Sequence, residues 1–410
     1  MKKIKGYWRD MCRAFMHEFA LVLHDPGLIL FFLFLPLVYP VLYSLIYNPE
    51  IVKEVPIVVV DNDRTPKSRE MTRMLDACDE LWVKGYASDL DEARRAMDGK
   101  DVFAILEIPK GFQRKIGRTE TAPAVIYCDM TLLLRYRGLL VATTDVMQEM
   151  GAEILTEKVN LVAPMAETVV GEGDLMPIHN INMGNIRGGF DTFLMPGVIV
   201  LILHQCLVLA AGMAGGARLE SRRLRGYNPY VVSRSTLAAM IGQALCYMGI
   251  MVVPTIFVIH YVPLIFGFPL CGNIFEELAF LLPMVIACCG VGFVFQTMVM
   301  ERESVFISWV ITSVVFLLLS GLIWPRYDMY GFWKALSAIC PSTWGVEGFI
   351  KMETNGSSLS QVVTEYRNLW ILAGAWWVLA WILQKRVVRP SIWRVRHIEM
   401  EKLMAEGNAD

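Results

Sequence analysis

The sequence predicts a polytopic α-helical membrane protein with six transmembrane helices and an inserted extracytoplasmic α/β domain with a mixed sheet and a long helix. Three observations predict it. One apolar run of about twenty residues, Leu28 to Tyr47, stands alone near the N-terminus. Five more, at 193–217, 236–260, 278–300, 305–324 and 367–384, crowd the second half. Between the two groups, residues 48–190 read as ordinary water-soluble sequence. A helix rises about 1.5 Å per residue, so about twenty apolar residues cross a hydrocarbon core of about 30 Å. Composition agrees, with 55% hydrophobic and 19% charged residues, against about 25% charged in soluble domains. The net charge of −2 and the lack of a basic stripe with interleaved aromatics leave no basis for nucleic-acid binding.

Residues 1–27 form the cytoplasmic segment. Ile4, Trp8, Met11, Phe15, Phe19 and Val22 recur at steps of three and four and so share one helical face. Lys5, Arg9 and Arg13 lie elsewhere on the wheel. Such a helix lies in the plane of the bilayer interface, either as a simple anchor or as a contact for a cytoplasmic partner. Asp25-Pro26-Gly27 then breaks it and turns the chain into the first span, 28–47. That span is too long for the core of a cleaved leader and no small-residue cleavage site follows, so it reads as a retained anchor.

Orientation follows from basic residues. Lys2, Lys3, Lys5, Arg9 and Arg13 precede the first span, Arg218, Arg222, Arg223, Arg225 and Arg234 follow the second, and the 385–410 tail is basic. The loop from Tyr261 to Glu277 has no Lys or Arg. Six spans put all three basic segments on one side. Both termini are therefore expected in the cytoplasm and the 48–190 domain outside.

Within that domain, strands are expected at 56–60, 81–86, 102–108 and 124–128, alternating with helices at 66–78, 88–97 and after Gly111, then a long helix from Leu132 to about Asn160. The alternation implies a small α/β fold with a mixed sheet. Asp61, Asp63, Asp89 and Asp91 stand at strand ends and helix starts, where acidic residues cap, and they lack an EF-hand loop. Cys78 and Cys128 fit either a disulfide in an oxidising compartment or two small hydrophobes. The domain's His179 lies in the linker that leads to the second span.

The second span ends in Ala210, Ala211, Gly212, Ala214, Gly215, Gly216 and Ala217, which suits close helix packing in this chain or against a partner. Arg218, Glu220, Arg222, Arg223, Leu224 and Arg225 follow as a short basic helix ended by Gly226 and Pro229. Two readings fit: a topology signal, or a helix docked in the groove of a cytoplasmic protein. Glu301-Arg302-Glu303 lies on the same side. Polar residues within the spans are few, namely His204, Gln205, Gln243, His260 and Gln296. Intramembrane polar groups mark pathways or hold helices together, and His204 with Gln205 are the candidates for a translocation path. Gly99-Lys100-Asp101 is the nearest approach to a phosphate loop, and it lacks the upstream Gly and the Ser/Thr. No catalytic, cofactor or metal site is expected in this chain, so work across the membrane would draw its energy from another chain.

This layout resembles the membrane permease subunits of type-2 ABC exporters, in the subfamily with a large external domain between the first two spans. Pro56 to Asp63 resembles that family's first strand with its acidic end, and Ser88 to Lys110 resembles the next helix–strand pair. Phe193 to Gly197 is similar to its "f..PG" start of the second span. Cys340-Pro341-Ser342-Thr343-Trp344 with Gly348 and Asn355-Gly356 resembles the segment before the last span. Many relatives carry R-E-x-E-x-G-T after the second span. Here Glu220 and Gly226 flank an Arg-rich stretch, with Tyr227 in place of Thr. The resemblance implies a bacterial plasma (inner) membrane location and a separate ABC ATPase subunit that binds ATP and Mg. It also implies a second permease subunit, as a homodimer or paralogous heterodimer, and in some relatives a periplasmic adaptor protein. The cargo it implies is a drug, a lipid or another amphipathic molecule. The alternative is a membrane-tethered envelope interaction protein, or a phage-receptor-like scaffold, with the same layout.

Overall fold

A computed structural model of the chain describes residues 2–47, 52–118, 120–130, 133–162, 185, 189–225, 235–299 and 303–388. Gly226, Tyr227, Pro229, Arg234, His179, Glu301, Arg302 and the 389–410 part of the basic tail lie outside the described residues. The chain divides into two compact units, one of residues 1–48, 182–187 and 191–410, the other of residues 49–181 and 188–190.

The smaller unit holds β1 (Val55–Asp61), α3 (Pro66–Asp76), β2 (Leu81–Tyr86), α4 (Leu90–Asp98), β3 (Ala104–Ile108), α5 (Phe112–Gly117), β4 (Val125–Cys128) and α6 (Leu133–Val162). The helices α1 and α2 precede these and are described below. The sheet order is β2-β1-β3-β4, with β1 parallel to β2 and β3, and β4 antiparallel to β3. It is a mixed sheet. Alternation along β1 divides the core into two layers. Val55, Ile57 and Val59 pack with Met71 and Leu75 of α3, Phe112 of α5 and Leu139, Ala142, Val146 and Met150 of α6. Val58 and Val60 pack on the other face, against Ala93 of α4. Two of the acidic residues, Asp63 and Asp89, accept backbone N–H groups at helix starts. Asp63 accepts the N–H groups of Gly111 (2.7 Å) and Gln113 (2.9 Å), and Asp89 accepts that of Glu92 at 2.8 Å. Cys78 and Cys128 are both free thiols, and burial pushes each thiol up from its ordinary value.

The larger unit begins with α1 (Lys2–His24) and α2 (Pro26–Tyr47). Asp25 separates them by accepting the N–H groups of Gly27 (2.9 Å) and Leu28 (3.3 Å) as the cap of α2. Later come α7 (Phe190–Arg225), α8 (Thr236–Phe266), α9 (Ile274–Met298), α10 (Ser304–Leu319), α11 (Gly331–Ser337), α12 (Pro341–Asn355) and α13 (Val363–Leu383). α2 and α8 each contain a π-helical turn, Leu30–Phe34 and Phe257–Tyr261. Each turn sits just ahead of a proline, Pro36 or Pro263, whose missing N–H and bulky ring interrupt the normal ladder.

By length and composition, α2, α7, α8 and α9 are apolar enough to cross a membrane. The structure shortens one of the six expected spans. The run 305–324 is helical only over Ser304–Leu319, because Gly321 adopts a positive φ of 85° and the chain leaves the helix. Its 16 residues reach about 24 Å at 1.5 Å per residue. α13 has the length, 21 residues, but opens with Glu365, Arg367 and Asn368.

α7 is the centre of this unit, with Val198–Leu203 and Cys206–Ala211 buried. Its small-residue end packs within this chain. A Cβ on Gly292 of α9 would stand 2.6 Å from the Ala211 Cβ, and one on Gly215 would stand 2.6 Å from the Gln296 Cγ.

Candidate functional site

α1 packs against its neighbours along one edge. Its buried edge runs Asp10, Ala14, Glu18, Val22 at four-residue steps, and Asp10, Glu18 and Val22 are buried. The expected apolar stripe is shared, since Met11 and Phe15 are half-buried while Trp8 and Phe19 stay exposed. α8 receives this edge through Gly242, where a Cβ would overlap the Met11 carbonyl and stand 2.9 Å from the Ala14 Cβ.

At the end of the buried edge is a polar junction. Arg218 of α7 is 2% exposed and Glu18 of α1 is 1% exposed. The Arg218 guanidinium forms an ion pair with Glu18 and donates to Gln296 Oε1 of α9 at 2.8 Å and to the Tyr247 hydroxyl of α8 at 3.3 Å. The Tyr247 hydroxyl in turn donates to Glu18. Gln296 Nε2 donates to the Ala211 carbonyl at 2.7 Å, and Gln384, just past α13, donates to Gln296 Oε1 at 3.3 Å. Burying a charge pair is costly in itself, and removing one partner leaves the other charge stranded. The junction therefore ties α1, α7, α8 and α9 at one point.

This placement corrects the expectation for Arg218. Its guanidinium is turned inward and is not on a surface that a cytoplasmic partner can reach. A second correction concerns the expected separate basic helix, because α7 runs unbroken from Phe190 to Arg225. The charged residues mark where apolar sequence ends without ending the helix. Glu220 is exposed. The side chains of Arg222, Arg223, Leu224 and Arg225 lie outside the described residues.

His204 and Gln205 occupy the middle of α7 and face α10. His204 is fully buried, its ring lies 5.0 Å from that of Phe316, and both ring nitrogens are without a hydrogen-bond partner among the described residues. Gln205 Nε2 donates to the Ser313 carbonyl at 3.4 Å, and its Oε1 finds no donor among the described residues. Buried polar groups without partners cost free energy, so this stretch carries a polarity that apolar packing does not need. Gln243 and Gln296 are buried too, and Gln296 belongs to the junction. Among the described residues, no group of three or more His, Cys, Asp or Glu side chains is placed to hold a metal.

Sequence reasoning missed Glu18 as a functional residue, because a lone Glu on an amphipathic helix reads as solvated. Its one signal was the four-residue step from Asp10 through Ala14 to Val22.

The sequence model of the family described as ABC-2 family transporter protein matches residues 26–382. No curated protein matches the chain.

Proposed function

Since this chain belongs to the ABC-2 transporter family and is the transmembrane component of an ABC transporter, we propose that it is the permease subunit of an ATP-driven exporter. A separate ATPase subunit binds ATP and Mg and docks on the end of α7, at Glu220, Arg222, Arg223, Leu224 and Arg225. The working assembly contains two permeases, two copies of this chain or this chain with a paralogue. Six spans, cytoplasmic termini and an external 48–190 domain place the docking end of α7 inside the cell. Residues 1–27 form the interfacial segment and 385–410 the cytoplasmic tail. The membrane is the bacterial inner membrane, and the cargo is an amphipathic small molecule or lipid.

The observation that carries this reading is the continuity of α7. One continuous helix of 36 residues joins the docking residues, the Arg218 junction and the His204–Gln205 stretch. A push on its end is passed to α1, α8 and α9 through Glu18, Tyr247 and Gln296, while the His204 stretch moves with it. Arg218 thus acts as a transmission residue behind the docking surface. His204 and Gln205 line the translocation path.

The test is a triple variant, Leu224→Asp with Arg222→Glu and Arg223→Glu. It should insert and fold, yet release the ATPase or uncouple ATP hydrolysis from export. A buried apolar knob or desolvated Arg at an interface is worth about 2 kcal/mol or more. Wild-type ATPase binding and export in this variant would reduce 218–225 to a topology signal.

A further inference from the structure

Away from the junction and the His204 stretch, two carboxyls are sealed in the larger unit. Glu277, in the first turn of α9, is 2% exposed and Glu353, near the end of α12, is 3% exposed. Their carboxyls face one another within hydrogen-bonding reach. Glu277 Oε1 and Glu353 Oε2 each lack a hydrogen-bond donor among the described residues.

The backbone closes over them. Cys271 N–H donates to the Glu353 carbonyl at 3.3 Å. A Cβ on Gly272 would overlap Glu277 Oε1, so glycine is what lets this loop pass. Gly356, at φ +65°, brings the end of α12 against Cys271.

The charged neighbours are otherwise engaged. Glu276 of α9 accepts the Leu359 N–H at 2.6 Å. Lys351 of α12 bonds Glu365 of α13 at 2.6 Å and lies 3.7 Å from Glu347. His260 of α8 is the neighbouring imidazole. Cys271 is an exposed free thiol. No guanidinium or ammonium is bonded to either acid among the described residues.

Two carboxylates buried side by side cannot both hold a full charge, and one proton between them removes the repulsion. That proton also supplies the donor that the surrounding protein lacks. We infer that Glu277 and Glu353 form a proton-binding site, in which one shared proton clasps the end of α12 to the first turn of α9. The chemistry is reversible proton binding alone: one carboxylic acid donates to one carboxylate, and loss of the proton leaves two adjacent anions. Burial, reinforced by the facing Glu277, pushes the Glu353 carboxyl up to about 9. With the topology proposed above, on which this placement alone rests, the clasp stands at the outer end of the permease, where external pH reaches it.

The experiment is a pH titration of the full-length protein in lipid nanodiscs, followed by infrared difference spectroscopy. The wild type should show the carbonyl stretch of a protonated carboxylic acid at neutral pH, lost as the pH rises through about 9. Glu277→Gln/Glu353→Gln should abolish the titrating band, each single substitution should move its midpoint because the remaining buried acid loses its facing carboxylate, and Glu276→Gln should leave it. If a Gln variant does not fold, Glu353→Met serves in its place.

Thermal unfolding gives a second reading. A carboxyl raised in the folded state stabilises in full below the ordinary carboxylate range, and that contribution disappears as pH climbs to the raised value. The melting temperature of the wild type should therefore fall relative to the Glu277→Gln/Glu353→Gln double variant as pH rises. A wild type with no protonated-acid band at neutral pH, or a band unchanged in the double variant, overturns the site. No ATPase or transport assay enters, so failure here is distinguishable from failure of the permease reading.

Discussion

Replacing Arg218 by Met tests the junction most sharply. The substitution keeps much of the volume and removes the cation from a site where Arg218 and Glu18 are 2% and 1% exposed. Tyr247 still donates to Glu18 and Gln384 still donates to Gln296. The loss therefore concentrates on Glu18, whose Oε2 has no donor among the described residues. Stranding one partner of a buried pair costs about 3–5 kcal/mol. Glu18→Gln should cost less, because the guanidinium keeps its bonds to Gln296 and Tyr247. The two singles differ in their pH dependence. A stranded carboxylate can take up a proton, so the Arg218→Met penalty should shrink in acid, whereas a guanidinium keeps its charge and the Glu18→Gln penalty should not. The double variant Glu18→Leu/Arg218→Met should recover most of the loss, since replacing a buried pair by apolar groups is often neutral or stabilising. The assay is reversible unfolding in mixed micelles, followed by tryptophan fluorescence and closed as a double-mutant cycle. Single costs below about 1 kcal/mol, or a double variant as unstable as the sum of the singles, would refute the claim that this pair is buried and coupled.

Gly242→Leu should detach α1 from α8, because a Cβ there already overlaps the Met11 carbonyl; limited proteolysis should then cut within α1, and an unchanged digest speaks against the packing. Asp63→Ala should cost about 1 kcal/mol, as for other lost caps, and should speed amide exchange at Gly111 and Gln113. Although burial opposes it, the Gln113, Gly111 and Phe112 N–H groups and the Thr65 hydroxyl hold the Asp63 carboxyl below its ordinary value. The Asp63 contribution is accordingly present at neutral pH and is lost as pH falls below the ordinary carboxylate range, so the wild-type and Asp63→Ala exchange rates should converge in acid. His204→Ala and Gln205→Ala should leave ATPase binding intact while lowering export of some cargoes more than others; a uniform loss that tracks protein abundance would instead assign them to folding.

Local signals in the sequence were legible because local physics sets them. Pro56 to Val60 is β-branched, and β1 follows; Asp25 before Pro26 caps a helix, and α2 starts there. The small residues at 210–217 announced a close helix contact, and the Ala211–Gly292 approach supplies it. What stayed hidden depends on distant partners. Glu18 and Arg218 are 200 positions apart, and Glu277 meets Glu353 across the chain, so neither pairing leaves a trace in any short window. The charge cluster at 218–225 suggests a helix of its own because charge density reports where the apolar run stops; it says nothing of whether the backbone hydrogen bonds continue. The fifth run is longer in sequence than its helix for a related reason. Ser320 to Trp324 is still largely apolar, but Gly321 bends the backbone there.

The central question for this protein is where the energy for transport comes from. A photo-reactive amino acid placed at the exposed Glu220, in the full-length chain in its native membrane, tests this directly when combined with labelling by a reactive ATP analogue. The expected result is one cross-linked species in which the ATP label sits on a separate chain, with ATP hydrolysis lost when that chain is stripped away. ATP label on this chain itself, or hydrolysis that persists once every other chain has been removed, would contradict it.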